Sequence, residues 1–171
     1  MASNTFVKIA TVTVGSGGAS AIDLSSIPAT YTDLCVLLSI REATTTNWTF
    51  NVRVNNDSSS IYSYKLIQGS GSAASSAGGT GGTLADIIGE SSGATASTFG
   101  NLQLYMPNYA GSNNKSFMTD GVGENNATLA YSRMTANLWA STSAVTQLYF
   151  YISGGNFAQY STATLYGIKN S

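Results

Sequence analysis

The C-terminal part of the chain alternates its side chains with the period of a β-strand. In the run Ala144–Ser153, Tyr149 and Tyr151 fall on one face, and the opposite face is mostly apolar. The run Ser161–Lys169 alternates in the same way after the glycine-containing connection Gly154–Ala158. A strand as long as the first run would extend about 33 Å, enough to cross a whole domain. We therefore predict that the two runs form an antiparallel hairpin at the centre of the fold.

Runs of the same period recur along the whole chain. Trp48–Asn55 and Ile61–Gln68 alternate cleanly and are predicted to form a second hairpin, whereas Tyr31–Arg41 is so apolar that we expect burial on both faces. Phe6–Val14 changes parity near Ala10, which indicates a bulge. We count eight or nine strands and no convincing helix. The predicted fold is all-β, an antiparallel β-sandwich of jelly-roll type with about eight strands.

The chain has the length of one domain, and we predict a single β-sandwich over residues 1–171. Within it, Gly69–Thr83 contains only small residues and has nothing to bury, so it is predicted to be a flexible loop; the alternative is an extended arm that orders on a neighbouring subunit. Asp120–Asn126 is predicted to be a second loop. The pattern of Leu84–Ile88 leaves open whether it is a strand or a single helical turn.

Low charge is the main compositional feature. Charged residues make up 9% of the chain, against about 25% in typical soluble domains, which favours an assembly component whose surface is partly covered. The net charge is −1 and the basic residues are scattered, so we expect no binding to nucleic acid. No apolar run approaches the length of about 18 residues that a membrane helix needs, and the N-terminal residues lack a signal-peptide pattern. We expect neither export by a signal peptide nor a membrane span.

Residues that carry catalytic chemistry are sparse. The chain has no histidine, and its single cysteine, Cys35, lies in an apolar run where a buried thiol is expected. The carboxylates lie apart in the sequence, so we predict that the protein is not an enzyme and takes no cofactor. Asp120, Glu124, Asn125 and Asn126 offer oxygen ligands for Ca²⁺, but they match no EF-hand spacing. A plain turn is the favoured interpretation, and no metal site is predicted.

Tyrosines are the remaining candidates for a functional surface. The chain has 10 of them beside few charges, a combination typical of surfaces that bind protein or sugar through flat amphipathic rings. Tyr109 is expected to be exposed in the turn-rich loop Pro107–Asn114. The alternative is that about half of the tyrosines cap the core. The predicted interaction surface comprises Tyr105, Tyr109, Tyr149, Tyr151 and Tyr160.

Both ends of the chain resemble small structural proteins of tailed bacteriophages. At the C-terminal end the resemblance lies in Asn156–Ala158 and Ser161–Ile168, and at the N-terminal end in Phe6–Val14 with its glycine-rich turn and in Ser26–Leu34. Such modules serve as capsid decoration or cement proteins and as parts of tail fibres. The resemblance implies no catalytic residues.

Two functions follow from the resemblance. The first is a decoration or cement protein that is made in the host cytoplasm and binds the major capsid protein on the outer surface of the virion. The alternative is a tail or tail-fibre module that binds tail proteins and recognises host surface glycan through Pro107–Asn114 and Gly154–Tyr160. The predicted strands carry few charges and no interrupting proline, so their edges are expected to be covered in a closed oligomer. The resemblance implies a homotrimer, with Tyr149 and Tyr151 expected near the subunit contacts.

Overall fold

The computed structural model describes residues 5–44, 49–124, 126 and 130–169. These residues form twelve β-strands. The strands are β1 (Phe6–Thr13), β2 (Ala21–Leu24), β3 (Asp33–Ile40), β4 (Thr49–Val54), β5 (Tyr62–Ser70), β6 (Ala73–Gly82), β7 (Ala85–Ile88), β8 (Gly100–Pro107), β9 (Lys115–Gly123), β10 (Tyr131–Trp139), β11 (Leu148–Tyr151) and β12 (Thr162–Ile168). Over the same residues there is no helix long and apolar enough to cross a membrane.

The strands form two antiparallel sheets. The larger has eight strands in the order β1-β12-β3-β8-β9-β10-β5-β6, and the smaller has four in the order β2-β11-β4-β7. Eight of the strands form a nested set of pairs: β1 with β12, β2 with β11, β3 with β8 and β4 with β7. Nested pairing of this kind, shared between two sheets, is the connectivity of a jelly roll. The predicted antiparallel jelly-roll sandwich is confirmed, and the four further strands extend its larger sheet.

One core fills the space between the sheets. Val36 and Leu165 point into it from the larger sheet, and Val52 and Phe150 point into it from the smaller one; all four are fully buried. Residues that alternate with them, such as Arg53, face outward. The alternation read from the sequence therefore identifies the buried face of the strands that carry these four residues correctly.

The two predicted hairpins are wrong. β11 pairs with β2 and β4 in the smaller sheet, whereas β12 pairs with β1 and β3 in the larger one, so the segment between β11 and β12 crosses from one sheet to the other. β4 and β5 are divided between the sheets in the same way. Alternation shows which side of a strand is buried, but two strands that face one core from opposite sides have the same pattern as two paired neighbours.

The predicted loop Gly69–Thr83 is also wrong, because most of it is β6. This strand pairs with β5 along nearly its whole length and forms one edge of the larger sheet. Its ladder uses backbone hydrogen bonds, which need no large side chain. Its glycines have a further role, since a Cβ at Gly78 would collide with the Lys65 side chain and one at Gly79 with the Tyr64 ring. Long side chains of β5 thus lie across the bare backbone of β6.

Some of the other local predictions are confirmed and others are wrong. The bulge near Ala10 is confirmed by a register shift between Lys8 and Ala10. The undecided segment Leu84–Ile88 contains the strand β7. The predicted loop Asp120–Asn126 is wrong in its first half, because β9 continues to Gly123. Burial of the third strand on both faces is wrong at Leu37, which is 46% exposed. Trp48 and Asn125 lie outside the described residues.

Candidate functional site

The structure brings two of the five predicted tyrosines together. Tyr149 and Tyr151 lie side by side on β11, with ring centroids 5.7 Å apart and ring planes inclined by 34°. Tyr105 is on the larger sheet, where its hydroxyl donates to Asp33 Oδ2 at 2.8 Å. Tyr160 is 69% exposed in the connection before β12. These side chains therefore belong to separate surfaces.

The prediction that Tyr109 is exposed is wrong, because its side chain is fully buried. Its hydroxyl donates to the Pro28 carbonyl oxygen and accepts a hydrogen bond from the Tyr31 amide at 3.3 Å. Burial raises the pKa of the Tyr109 phenol. Although the loop Pro107–Asn114 is rich in turn residues, its tyrosine packs into the core and holds the backbone of residues 28–31. Tyr109 is thus one of the tyrosines that cap the core.

The two paired tyrosines lie on the outward face of the smaller sheet, beside charged groups from both neighbouring strands. In register, Tyr149 stands between Asp23 of β2 and Arg53 of β4. The Arg53 guanidinium carbon is 5.0 Å from the centroid of the Tyr151 ring. Gln147 Nε2 donates to Asp23 Oδ1 at 2.8 Å. We call Asp23, Arg53, Gln147, Tyr149 and Tyr151 the tyrosine–arginine patch.

The groups of this patch are suited to binding. Partial burial is the main cause that raises the pKa of the Tyr151 phenol, so the ring stays neutral near neutral pH. A guanidinium over an aromatic face, together with an amide and a carboxylate, offers stacking and hydrogen bonding to a flat polar ligand. Arg53 was missing from the predicted surface. Its signal was the clean alternation of residues 48–55, which already places Arg53 on the wet face of its strand.

The outward face of the larger sheet has the opposite character. Most of the large apolar side chains exposed in the described part of the chain lie on it. They are Phe6, Leu37, Ile67, Met118, Val122 and Met134, with exposed fractions from 36% for Met118 to 62% for Ile67. Cross-strand register places Leu37, Gln103, Asp120, Met134 and Ile67 in one unbroken row from β3 to β5. We call this surface the outer apolar face.

A groove crosses the outer apolar face over β6, β5, β10 and β9. Its volume is about 800 Å³. Small residues, including Ala74, Gly69 and Ser132, form its floor, and the row with Ile67 and Met134 forms a ridge beside it. A smaller depression of about 360 Å³ continues across β9, β8 and β3. The groove is not readable from the sequence, because the strand order that assembles it joins segments distant in the chain.

Carboxylates do not converge into a metal centre among the described residues. Asp120 lies on the exposed side of β9, and Glu124 Oε1 accepts a hydrogen bond from the Asn126 amide at 2.8 Å. Two acids are fully buried instead, and no sequence pattern distinguishes them from the other carboxylates. Glu42 accepts hydrogen bonds from the amide and hydroxyl of Thr44, and Glu90 accepts one from the amide of Ser91.

The fold and these surfaces define a class of protein, an antiparallel jelly-roll β-sandwich with one extended sheet and two chemically different outer faces. No protein-family model, curated protein or solved structure matches the chain.

Proposed function

We propose that this protein is a bacteriophage virion structural protein, a decoration or cement protein that binds the major capsid protein on the outer surface of the assembled head. The observation that carries the proposal is the outer apolar face. A free-standing soluble protein rarely leaves so wide an apolar surface in water, whereas a subunit of an assembly has it covered. The low content of charged residues and the resemblance of both chain ends to phage structural modules support the same role.

The physical effect of such a protein is mass action. A protein that binds only the assembled shell stabilises it by RT ln(1 + [L]/Kd), about 2.7 kcal/mol per site at a free concentration about 100 times Kd. The role needs binding surfaces and no catalytic step. It places the protein on the virion after synthesis in the host cytoplasm.

Phage particles that lack this protein test the proposal. We expect such particles to release their genome at a lower temperature than complete particles, because the shell loses the bound layer. Adding the purified chain back should restore the original temperature. In complete particles, quantitative mass spectrometry should find the chain in numbers comparable to the major capsid protein. An unchanged release temperature, or a chain present in only a few copies, would contradict the cement role.

A second function is favoured by the tyrosine–arginine patch, namely a tail or tail-fibre module that recognises host surface glycan. Sugar rings stack on aromatic side chains, and Arg53, Asp23 and Gln147 supply hydrogen-bonding groups beside Tyr149 and Tyr151. This site replaces the loop around the buried Tyr109. Binding to host-cell polysaccharide should fall sharply in Tyr151→Ala and stay unchanged in Phe6→Ala, which alters an exposed ring on the larger sheet. Equal binding by both variants would remove the glycan function from this patch.

A further inference from the structure

We infer that the outer apolar face is the surface through which two copies of this chain contact each other. The inference rests on the proposed function. That function requires only that the outer apolar face be covered, whereas the inference states that a second copy of the chain covers it. The contact is formed when the ridge of each copy, carrying Ile67 and Met134, enters the groove of the other. The three-subunit assembly and the tyrosine contact expected from the sequence are separate possibilities that the same experiment distinguishes.

The size of the face is sufficient for a specific contact. Its eight strands contain seven to ten residues each. With about 4.8 Å between strands and about 3.3 Å per residue, the face spans about 38 Å by about 26 Å, a projected area of about 1,000 Å². Specific interfaces take about 600–1,000 Å² from each partner. A second copy that covers most of this face therefore buries an area within the range of stable dimers.

The shape of the face complements itself. On β5, the exposed Ile67 lies two residues from Gly69, and on β10 the exposed Met134 lies two residues from Ser132. Large and small residues thus form parallel rows, the ridge and the groove floor, on the same strands. When a second copy is turned by half a turn about an axis between the rows, the large side chains of β5 and β10 meet the small residues of the partner, and Asp120 of β9 meets the partner's Val122. This is an isologous contact, in which both copies use the same residues.

The chemistry of the groove also fits a second copy. Ile67 and Met134 of the ridge are aliphatic and the floor residues are small and uncharged, whereas the ridge also carries Gln103 and Asp120. Gln68 and Arg133 line the groove as well, and Arg133 Nε donates a hydrogen bond to Gln68 Oε1 at 2.9 Å. A glycan or a nucleic acid would find few hydrogen-bonding groups there, whereas an identical apolar ridge needs none. Covering the face removes water from Asp120, which weakens the association because a carboxylate is costly to desolvate.

Light scattering and sedimentation of the purified full-length chain test the inference. The wild-type protein is expected at about twice the 17.7 kDa chain mass at micromolar concentration. Met134→Lys places a charge on the ridge and should weaken association at least 10-fold. Gly69→Val fills the groove floor; a Cβ at Gly69 meets no atom within 4 Å, so the fold is retained while the partner's ridge is excluded. Asp120→Asn should tighten association several-fold.

Tyr149→Lys is the matched control, since it introduces the same charge on the opposite sheet. Tyr149→Lys should leave the measured mass of the oligomer unchanged, and circular dichroism should show that every variant is folded. A monomeric wild-type protein at all concentrations would overturn the inference, while its presence in many copies on particles would leave the proposed function standing. A trimer, or an oligomer that dissociates in Tyr149→Lys and persists in Met134→Lys and Gly69→Val, would also overturn it.

Discussion

Asp57 connects three parts of the sandwich through one turn. Its carboxylate accepts hydrogen bonds from the Ser59 amide at 2.8 Å and from the Trp139 indole at 2.9 Å. Its carbonyl oxygen accepts one from the Tyr62 hydroxyl at 3.1 Å. Trp139 and Tyr62 belong to the larger sheet, whereas the turn follows β4 of the smaller one. The side chain thus ties the two sheets together at this end of the molecule.

Asp57→Asn is expected to change how stability depends on pH. The Ser59 amide, then the Ser59 hydroxyl and the Trp139 indole, lower the pKa of Asp57, so the folded state favours its charged form. A lowered pKa stabilises the fold above the unfolded value of about 4, and this contribution is lost as pH falls through the folded value. Because the carboxylate is largely solvated, we expect at most about 1 kcal/mol.

Urea unfolding of the wild type and Asp57→Asn between acidic and neutral pH measures this effect. The wild type should be the more stable at neutral pH, and the difference should shrink towards zero as the medium becomes strongly acidic. A difference that stays constant with pH would show that the carboxylate charge does not contribute.

At the scale of the element, the alternation of β4 and β5 was readable from the sequence, because it depends only on the period of a strand and the burial of one face. The partners of β11 and β12 were not readable, since pairing is decided by contacts between segments far apart in the chain. The prediction of a loop in place of β6 was wrong for a different reason. Its small residues give no hydrophobic signal, and the strand exists because the backbone of β5 offers it a ladder.

The candidate site was likewise only partly readable from the sequence. Tyr149 and Tyr151 share one face of one strand, so their proximity follows from local sequence. Arg53 joins them only because β4 lies beside β11 in a particular register. Tyr109 was misplaced because loop composition indicates a turn but does not show that one side chain of the turn fills the core.

Gly167 illustrates how β12 depends on a neighbour outside its sheet. An added Cβ at this position would overlap the Tyr31 ring, which lies directly over the glycine. We expect Gly167→Ala to displace the ring and to lower the free energy of unfolding by about 1–3 kcal/mol. Gly15→Ala is the control, because a Cβ there meets no atom within 4 Å and its φ is not positive. Denaturant unfolding that finds the two variants equally stable would contradict this packing.

At the scale of the whole molecule, nested pairing makes the ends of the chain interdependent. β12 lies inside the larger sheet between β1 and β3, so β1, from the other end of the chain, joins the sheet only through β12. The extension β9-β10-β5-β6 also depends on the jelly roll for its packing, because Tyr62 and Trp139 belong to the same core cluster as Val36 and Leu165. β7 of the smaller sheet packs against strands of the extension. One continuous apolar core therefore joins the jelly roll and the extension.

This continuity predicts that the jelly roll and its extension unfold in one cooperative transition, as expected of a single domain. The chain has two tryptophans, so in Trp48→Phe the fluorescence of the buried Trp139 reports on the extension alone. Cys35 is buried on β3, and its reaction with a thiol reagent reports on the jelly roll. Because both side chains are buried on strands of one sheet, and that sheet packs on one core, their urea midpoints should coincide. If Trp139 becomes exposed at a lower urea concentration than Cys35, the extension is a separate unit and the single-domain prediction is wrong.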